Sequence, residues 1–123
     1  MNKKILIVED EIIIANLLRK LLEHEGYLIF GMVSTGEKAV EEALNNEIDM
    51  IIMDIHLAGE MNGIDAVKMI KEKKNIDVIF VTGFPDIETK NSAYSTNPSG
   101  FFIKPIDIDI FINHIKRLDD AVC

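Results

Sequence analysis

Hydrophobic and polar positions alternate along this chain in blocks. Short, mainly apolar runs occur at Ile5–Val8, Tyr27–Val33, Asp49–Met53, Asp77–Val81 and Gly100–Ile103, the third and fourth each opening on an acid. Such runs, rich in β-branched and aromatic residues, are the pattern of strands buried on both faces. Between them the apolar spacing changes to that of a helix. Ile14, Leu17, Leu18, Leu21 and Leu22 recur at helical intervals from Glu11 to Glu25, and Gly26 ends the run. A second helix is expected over Glu37–Asn45 after the Ser34-Thr35-Gly36 turn, and a third over Ile64–Lys73 with Ile64, Val67 and Ile70 inward. Asp107 caps a last helix whose Ile108, Phe111, Ile112, Ile115 and Leu118 form an apolar stripe.

One segment breaks the pattern. Asp86–Asn97 holds Thr89, Asn91, Ser92, Ser95, Thr96 and Asn97, all mediocre helix formers. It predicts a short, poorly anchored helix over Ile87–Ser95, of a stability that suits a moving element.

Strand and helix alternating five times imply an α/β fold: a parallel sheet with helices on both faces, a three-layer α/β/α sandwich. The 123 residues suit one domain, 1–123. With 48% hydrophobic residues the chain can build a core, and a net charge of −8 argues against nucleic acid as a partner. The lone cysteine, Cys123, reads as a free terminal thiol and permits no internal disulfide, which fits a cytoplasmic protein. Met1-Asn2-Lys3-Lys4 leads into the first strand without a signal-peptide core, and no apolar stretch is long enough to span a membrane. The glycines form neither a dinucleotide nor a Walker signature, so a nucleotide cofactor is not supported.

Chemistry gathers where the apolar runs stop. The first ends at Glu9-Asp10, the third at Asp54, the fourth at Thr82 and the fifth at Lys104-Pro105. In an open parallel sheet these positions share the carboxyl edge, where ligands bind. Three clustered carboxylates repel one another unless a cation joins them, and a hard, oxygen-rich set suits Mg²⁺ better than zinc. Asp54 is then a nucleophile for phosphorus, with the Lys104 ammonium and the Thr82 hydroxyl facing the phosphoryl oxygens.

These segments carry a resemblance. Ile7-Val8-Glu9-Asp10-Glu11, Met53-Asp54-Ile55, Met61-Asn62-Gly63, Val81-Thr82-Gly83 and Gly100-Phe101-Phe102-Ile103-Lys104-Pro105, in this order and spacing, resemble the receiver domain of two-component response regulators. The resemblance implies a flavodoxin-like sheet in the order 2-1-3-4-5 with five helices, as in chemotaxis receivers. It also implies that Asp54 accepts phosphate from a histidine kinase or histidine phosphotransfer protein. Asp10 and Asp54 would bind Mg²⁺ (or Mn²⁺ in its place), with Glu9 acting mainly through water and His56 through its backbone carbonyl. Thr82 and Lys104 would hold the phosphoryl oxygens, Phe101 would be the aromatic switch, and the Lys104–Pro105 bond would be cis. Three features depart from the usual pattern: Glu9 in place of the commoner Asp, a loop after Asp54 longer by one residue and without its proline, and Phe101 in place of Tyr. The apolar Phe84, which with His56 occupies the positions that tune phosphate lifetime, points to a long-lived acyl phosphate.

Taken singly, each acid is a solvated strand-end carboxylate, Thr82 a turn hydroxyl and Phe101 plain core. His24 and His114 read as exposed helical residues. Two rivals remain beside the signalling module, which turns over no diffusible substrate. An aspartyl-nucleophile phosphatase would need an acid two residues past Asp54, where His56 stands, and a phosphate-independent pseudo-receiver would lack part of the acid, hydroxyl and lysine set. Ile106 and Ile110 leave an apolar patch for a downstream protein or a homodimer.

Overall fold

The computed structural model describes residues 3–83 and 85–120, which leaves the sequence readings of Phe84 and Cys123 outside the described residues. Five strands, β1 (Lys4–Val8), β2 (Leu28–Val33), β3 (Met50–Met53), β4 (Asp77–Thr82) and β5 (Gly100–Ile103), form one parallel sheet in the order β2-β1-β3-β4-β5. They alternate with α1 (Ile12–His24), α2 (Gly36–Asn45), α3 (Gly63–Lys73), α4 (Ile87–Tyr94) and α5 (Ile108–Asp120). The fold class and strand order match the expectation, and most boundaries fall within a residue or two.

The central strands are apolar without interruption because both faces are covered. Side chains alternate across a strand. Leu6, Val8, Ile51, Met53, Val78 and Phe80 therefore pack with α2 and α3 and with Ala93 of α4. Ile5, Ile7, Met50, Ile52, Ile79 and Val81 pack with α1 and α5. Phe80 and Phe111, both with no exposed surface, are the largest fully buried side chains of these two cores. Removing a fully buried Phe from water contributes roughly 1.5–3 kcal/mol.

Local sequence sets the helix starts. The Thr35 hydroxyl accepts from the Lys38 amide (3.1 Å), Asn62 from Asp65 (2.9 Å) and Asp86 from Thr89 (2.7 Å), each satisfying one free N–H of a first turn. Gly26 ends α1 with φ +93°, a conformation open to glycine at little cost.

Two helix faces differ from the sequence reading. In α1 the buried positions are Ala15, Leu18 and Leu22, while Leu17 is 50% exposed. The contact face is centred on small Ala15, which periodicity counted by large side chains passes over. In α5, Phe111, Ile112 and Ile115 are buried but Ile108 lies 44% exposed in the first turn.

The weak helix behaves as its composition predicts. Among the described residues, α4 buries a single side chain, Ala93, and leaves Ile87 79% exposed. The expected outcome in amide exchange is that α4 exchanges at least about tenfold faster than the middle of α1. Equal protection in the two helices would contradict this.

Candidate functional site

Glu9, Asp54 and Lys104 are each held one step beyond a strand by the continuing backbone ladder. The Glu9 amide donates to the Val33 carbonyl (2.9 Å), the Asp54 amide to Val8 (2.9 Å) and the Lys104 amide to Thr82 (2.7 Å). The register pairs Val8 with Met53 and Thr82 with Ile103, so acids from β1 and β3 fall side by side and Lys104 lies beside the end of β4. Residues far apart in sequence thus meet because parallel strands end together.

Glu9, Asp10 and Asp54 each bring a carboxylate oxygen within 4.8 Å of the others. Glu9 and Asp54 are both 5% exposed, whereas Asp10 faces solvent. Lys104 reaches into this cluster, its ammonium donating to Glu9 Oε1 at 2.6 Å and to Asp54 Oδ2 at 3.1 Å. Glu11 Oε1 lies 3.9 Å from the same nitrogen, and the Glu11 amide donates to Glu9 Oε2 at 3.1 Å. Thr82, fully buried at the end of β4, has a hydroxyl with no hydrogen-bond partner among the described residues. A buried polar atom without a partner is costly, and one at the edge of an acid cluster is free to donate to a group that enters there.

The electrostatics follow from burial. Desolvation pushes the Glu9 carboxyl up to about 7; the hydrogen bonds from Lys104 and the Glu11 amide oppose it, and the Asp54 charge reinforces it. Burial works to lower the Lys104 ammonium, but its hydrogen bonds to Glu9 and Asp54 prevail and raise it above its usual range. The cluster is short of positive charge: three carboxylates converge on one ammonium.

Backbone geometry closes the site from below. The Gly63 amide donates to the Ile55 carbonyl at 2.8 Å, and a Cβ on Gly63 would stand 2.0 Å from the Asp54 carbonyl oxygen. The loop between β3 and α3 is pinned on its other side by a bridge between Thr35 and Ala58, and Gly59 turns it with φ +89°. The His56 side chain is exposed at the mouth of the site. The Lys104–Pro105 bond is cis. Phe101 lies away from the acids, half-buried, with its ring stacked on Tyr94 at 5.3 Å and tilted against Phe80 at 6.0 Å.

The structure therefore gathers Glu9, Asp10 and Asp54 within 4.8 Å of one another, bonds Lys104 to Glu9 and Asp54, sets Thr82 at the adjoining strand end, and puts Phe101 on the α4 face. Sequence reasoning assigned Glu11 and Gly63 no role of their own, although both lay within quoted motifs; three consecutive acids and an Asn-Gly pair were the available signals. It also took His114 as exposed. The His114 ring is half-buried, with Nε2 2.6 Å from the Ser99 carbonyl and edge-on to Phe102, because Gly100 leaves room for it.

Two outcomes test this geometry. Because the protonated Glu9 is favoured in the folded state, its stabilisation is complete below pH 4.5 and is lost as pH rises through about 7. In a chelator, the melting temperature is expected to fall between about pH 5 and about pH 8 more steeply for the parent chain than for Glu9→Gln. Gly63→Ala is expected to destabilise the protein by ~1–3 kcal/mol or more in denaturant unfolding, since the methyl overlaps the Asp54 backbone. An unchanged midpoint would show that the loop yields freely.

Comparisons with known proteins bear on this arrangement. A family model described as the response regulator receiver domain matches residues 5–116. A transcriptional regulatory protein of Helicobacter pylori, CrdR, is 32% identical over 99% of this chain and 58% of its own length. Sporulation initiation phosphotransferase F of Bacillus subtilis is 31% identical over 95% of this chain and 94% of its own length. The crystal structure of the signal receiver domain of a modulated diguanylate cyclase from Desulfovibrio desulfuricans superimposes with a TM-score of 0.88 at 33% identity, covering 95% of this chain and 93% of that one. The chain spans about half the length of most of the curated relatives it matches.

Proposed function

The chain belongs to the response regulator receiver family, a family of signalling modules in two-component systems, and on that premise we propose that it is a Mg²⁺-dependent phosphoacceptor. Asp54 takes a phosphoryl group from a phosphohistidine on a histidine kinase or histidine phosphotransfer protein. The acyl phosphate then alters the surface formed by α4, β5 and α5, which engages a downstream protein or a second copy of the chain. The chain catalyses this modification and its hydrolysis on itself alone.

The observation that carries this reading is the company of Asp54. Its carboxylate lies within 4.8 Å of two others, 3.1 Å from an ammonium, and beside a strand end whose buried hydroxyl lacks a partner. A purely structural ion pair would satisfy its groups in full. This cluster is one cation short and one acceptor short, the deficits that a divalent ion and a phosphoryl group would fill.

The donor set fits a hard cation. All three side chains offer carboxylate oxygen, and exposed Asp10 leaves room for water, as Mg²⁺ requires. Asp10 and Asp54 would hold Mg²⁺ or Mn²⁺, with Glu9 through water and the His56 carbonyl as a further ligand. When bound, the ion supplies positive charge against the phosphoryl oxygens.

A carboxylate oxygen of Asp54 attacks phosphorus as the bond from phosphorus to the donor imidazole nitrogen breaks, and the departing electron pair stays on that nitrogen. Lys104 exchanges part of its contact with Glu9 and Asp54 for a phosphoryl oxygen, and the Thr82 hydroxyl donates to another. A phosphatase of related chemistry would place an acid two residues beyond the nucleophile, and His56 stands there. The relative named a phosphotransferase, matched over 94% of its length, supports transfer over turnover.

Incubation with acetyl phosphate and Mg²⁺ is expected to add one phosphoryl group by intact mass. Asp54→Asn or chelation abolishes the gain, and Lys104→Met reduces its rate by roughly tenfold or more through loss of the charge facing the phosphoryl oxygens. A parent chain that stays unmodified with every phosphodonor tried would overturn the proposal.

A further inference from the structure

The two neighbouring aromatics of β5 face opposite layers and are held very differently. Phe102 packs edge-on against Phe111 (5.3 Å, 86°) and His114 (5.4 Å, 76°), and His114 is itself tied to the Ser99 carbonyl. Phe101 is half-buried on the α4 side, and its ring lies on that of Tyr94 at 5.3 Å and 21°. Tyr94 is the last residue of α4 and is 50% exposed.

The anchoring of α4 is one-ended. At its C-terminal end the Lys71 ammonium donates to the Thr96 and Asn97 carbonyls at 2.8 and 2.7 Å, and Ala93 is buried. At its start Ile87 is 79% exposed, and among the described residues Asp86 hydrogen-bonds the local Thr89 amide. The contacts described for α4 thus concentrate at its C-terminal end, where Lys71 binds the following carbonyls and Tyr94 stacks on Phe101 of β5.

We propose that Tyr94 is a latch: its stack on Phe101 holds α4 and β5 in the resting arrangement, and occupation of the Asp54 site breaks the stack and frees α4 to pivot about Lys71. The proposal rests on the phosphoacceptor reading and goes beyond it in assigning the resting bias to Tyr94. Phe101 pairs in register with Phe80, and Thr82 follows two residues later on the same face of the sheet. Movement of the partnerless Thr82 hydroxyl toward an oxygen ligand vacates volume on the inner side of Phe101. The Phe101 ring then has a second place to go, and Tyr94 loses its partner. The phenol suits this role, since its hydroxyl end is already in water and the ring leaves the stack without burying or stranding a polar atom. An offset aromatic pair is worth enough to bias two states by roughly twofold to tenfold, which sets a resting population without blocking the change.

The test is the affinity of the full chain for beryllofluoride, a phosphoryl mimic, in Mg²⁺. Tyr94→Ala, which removes the latch, is expected to bind about threefold to tenfold more tightly than the parent, and Tyr94→Phe, which keeps the stack, to bind no more tightly. A merely structural Tyr94 would lower the melting temperature of Tyr94→Ala and leave its affinity equal or weaker, and either result overturns the latch. Should Tyr94→Ala not fold, the Tyr94 ring resonances in the parent decide: they are expected to move to solvent-like positions on adding beryllofluoride, and unmoved resonances overturn the proposal. A parent chain that binds no beryllofluoride sinks the phosphoacceptor reading and the latch together, whereas binding with equal affinities sinks the latch alone.

Discussion

The Lys104 ammonium is the group on which the carboxyl edge of this molecule depends. Two carboxylates, Glu9 and Asp54, are buried at the ends of adjacent strands, with Asp10 and Glu11 close by. Taking even one such charge out of water costs several kcal/mol unless a partner compensates it. Lys104 compensates two at once, and only incompletely, as the upward push on Glu9 shows. The residual imbalance favours uptake of positive charge, so the feature that limits stability also supports the functional reading.

That imbalance is sustained by rigidity elsewhere. Every strand of the sheet is parallel and the three inner ones are covered on both faces, so the ends of β1, β3 and β4 cannot move apart without exposing core. Gly63 packs against the backbone of Asp54 so closely that no side chain fits between them. The acids are thereby fixed near one another before any ligand arrives, and the cost of assembling the site is met during folding.

The opposite property appears one layer away. On the α1 and α5 side, Phe102, Phe111 and His114 interlock. On the α4 side, a half-buried Phe101 rests on a half-exposed Tyr94 at the end of a helix with one buried residue. In the proposed mechanism, free energy released at the acid cluster goes into moving α4, which buries little and is therefore cheap to rearrange. The polar, indifferent helix composition of Asp86–Asn97 is thus part of the mechanism proposed for the chain.

The elements, their order and the residues at the strand ends were legible in the sequence, because burial on two faces demands unbroken apolar runs and a parallel sheet places their ends on one edge. Glu9, Asp10, Asp54, Thr82 and Lys104 could be picked out for that reason alone. Periodicity located the helices but not their rotation: Ala15, not Leu17, faces the sheet in α1, since a small residue at a close approach leaves no trace in hydrophobicity. Packing alone decided that His114 tucks against Ser99 and that Tyr94 stacks on Phe101, contacts between successive elements that no periodicity specifies. The charge state of Glu9 was likewise beyond the sequence. Its carboxyl is an ordinary acid in the unfolded chain and becomes a weak one only when the sheet removes its water and sets Asp54 beside it.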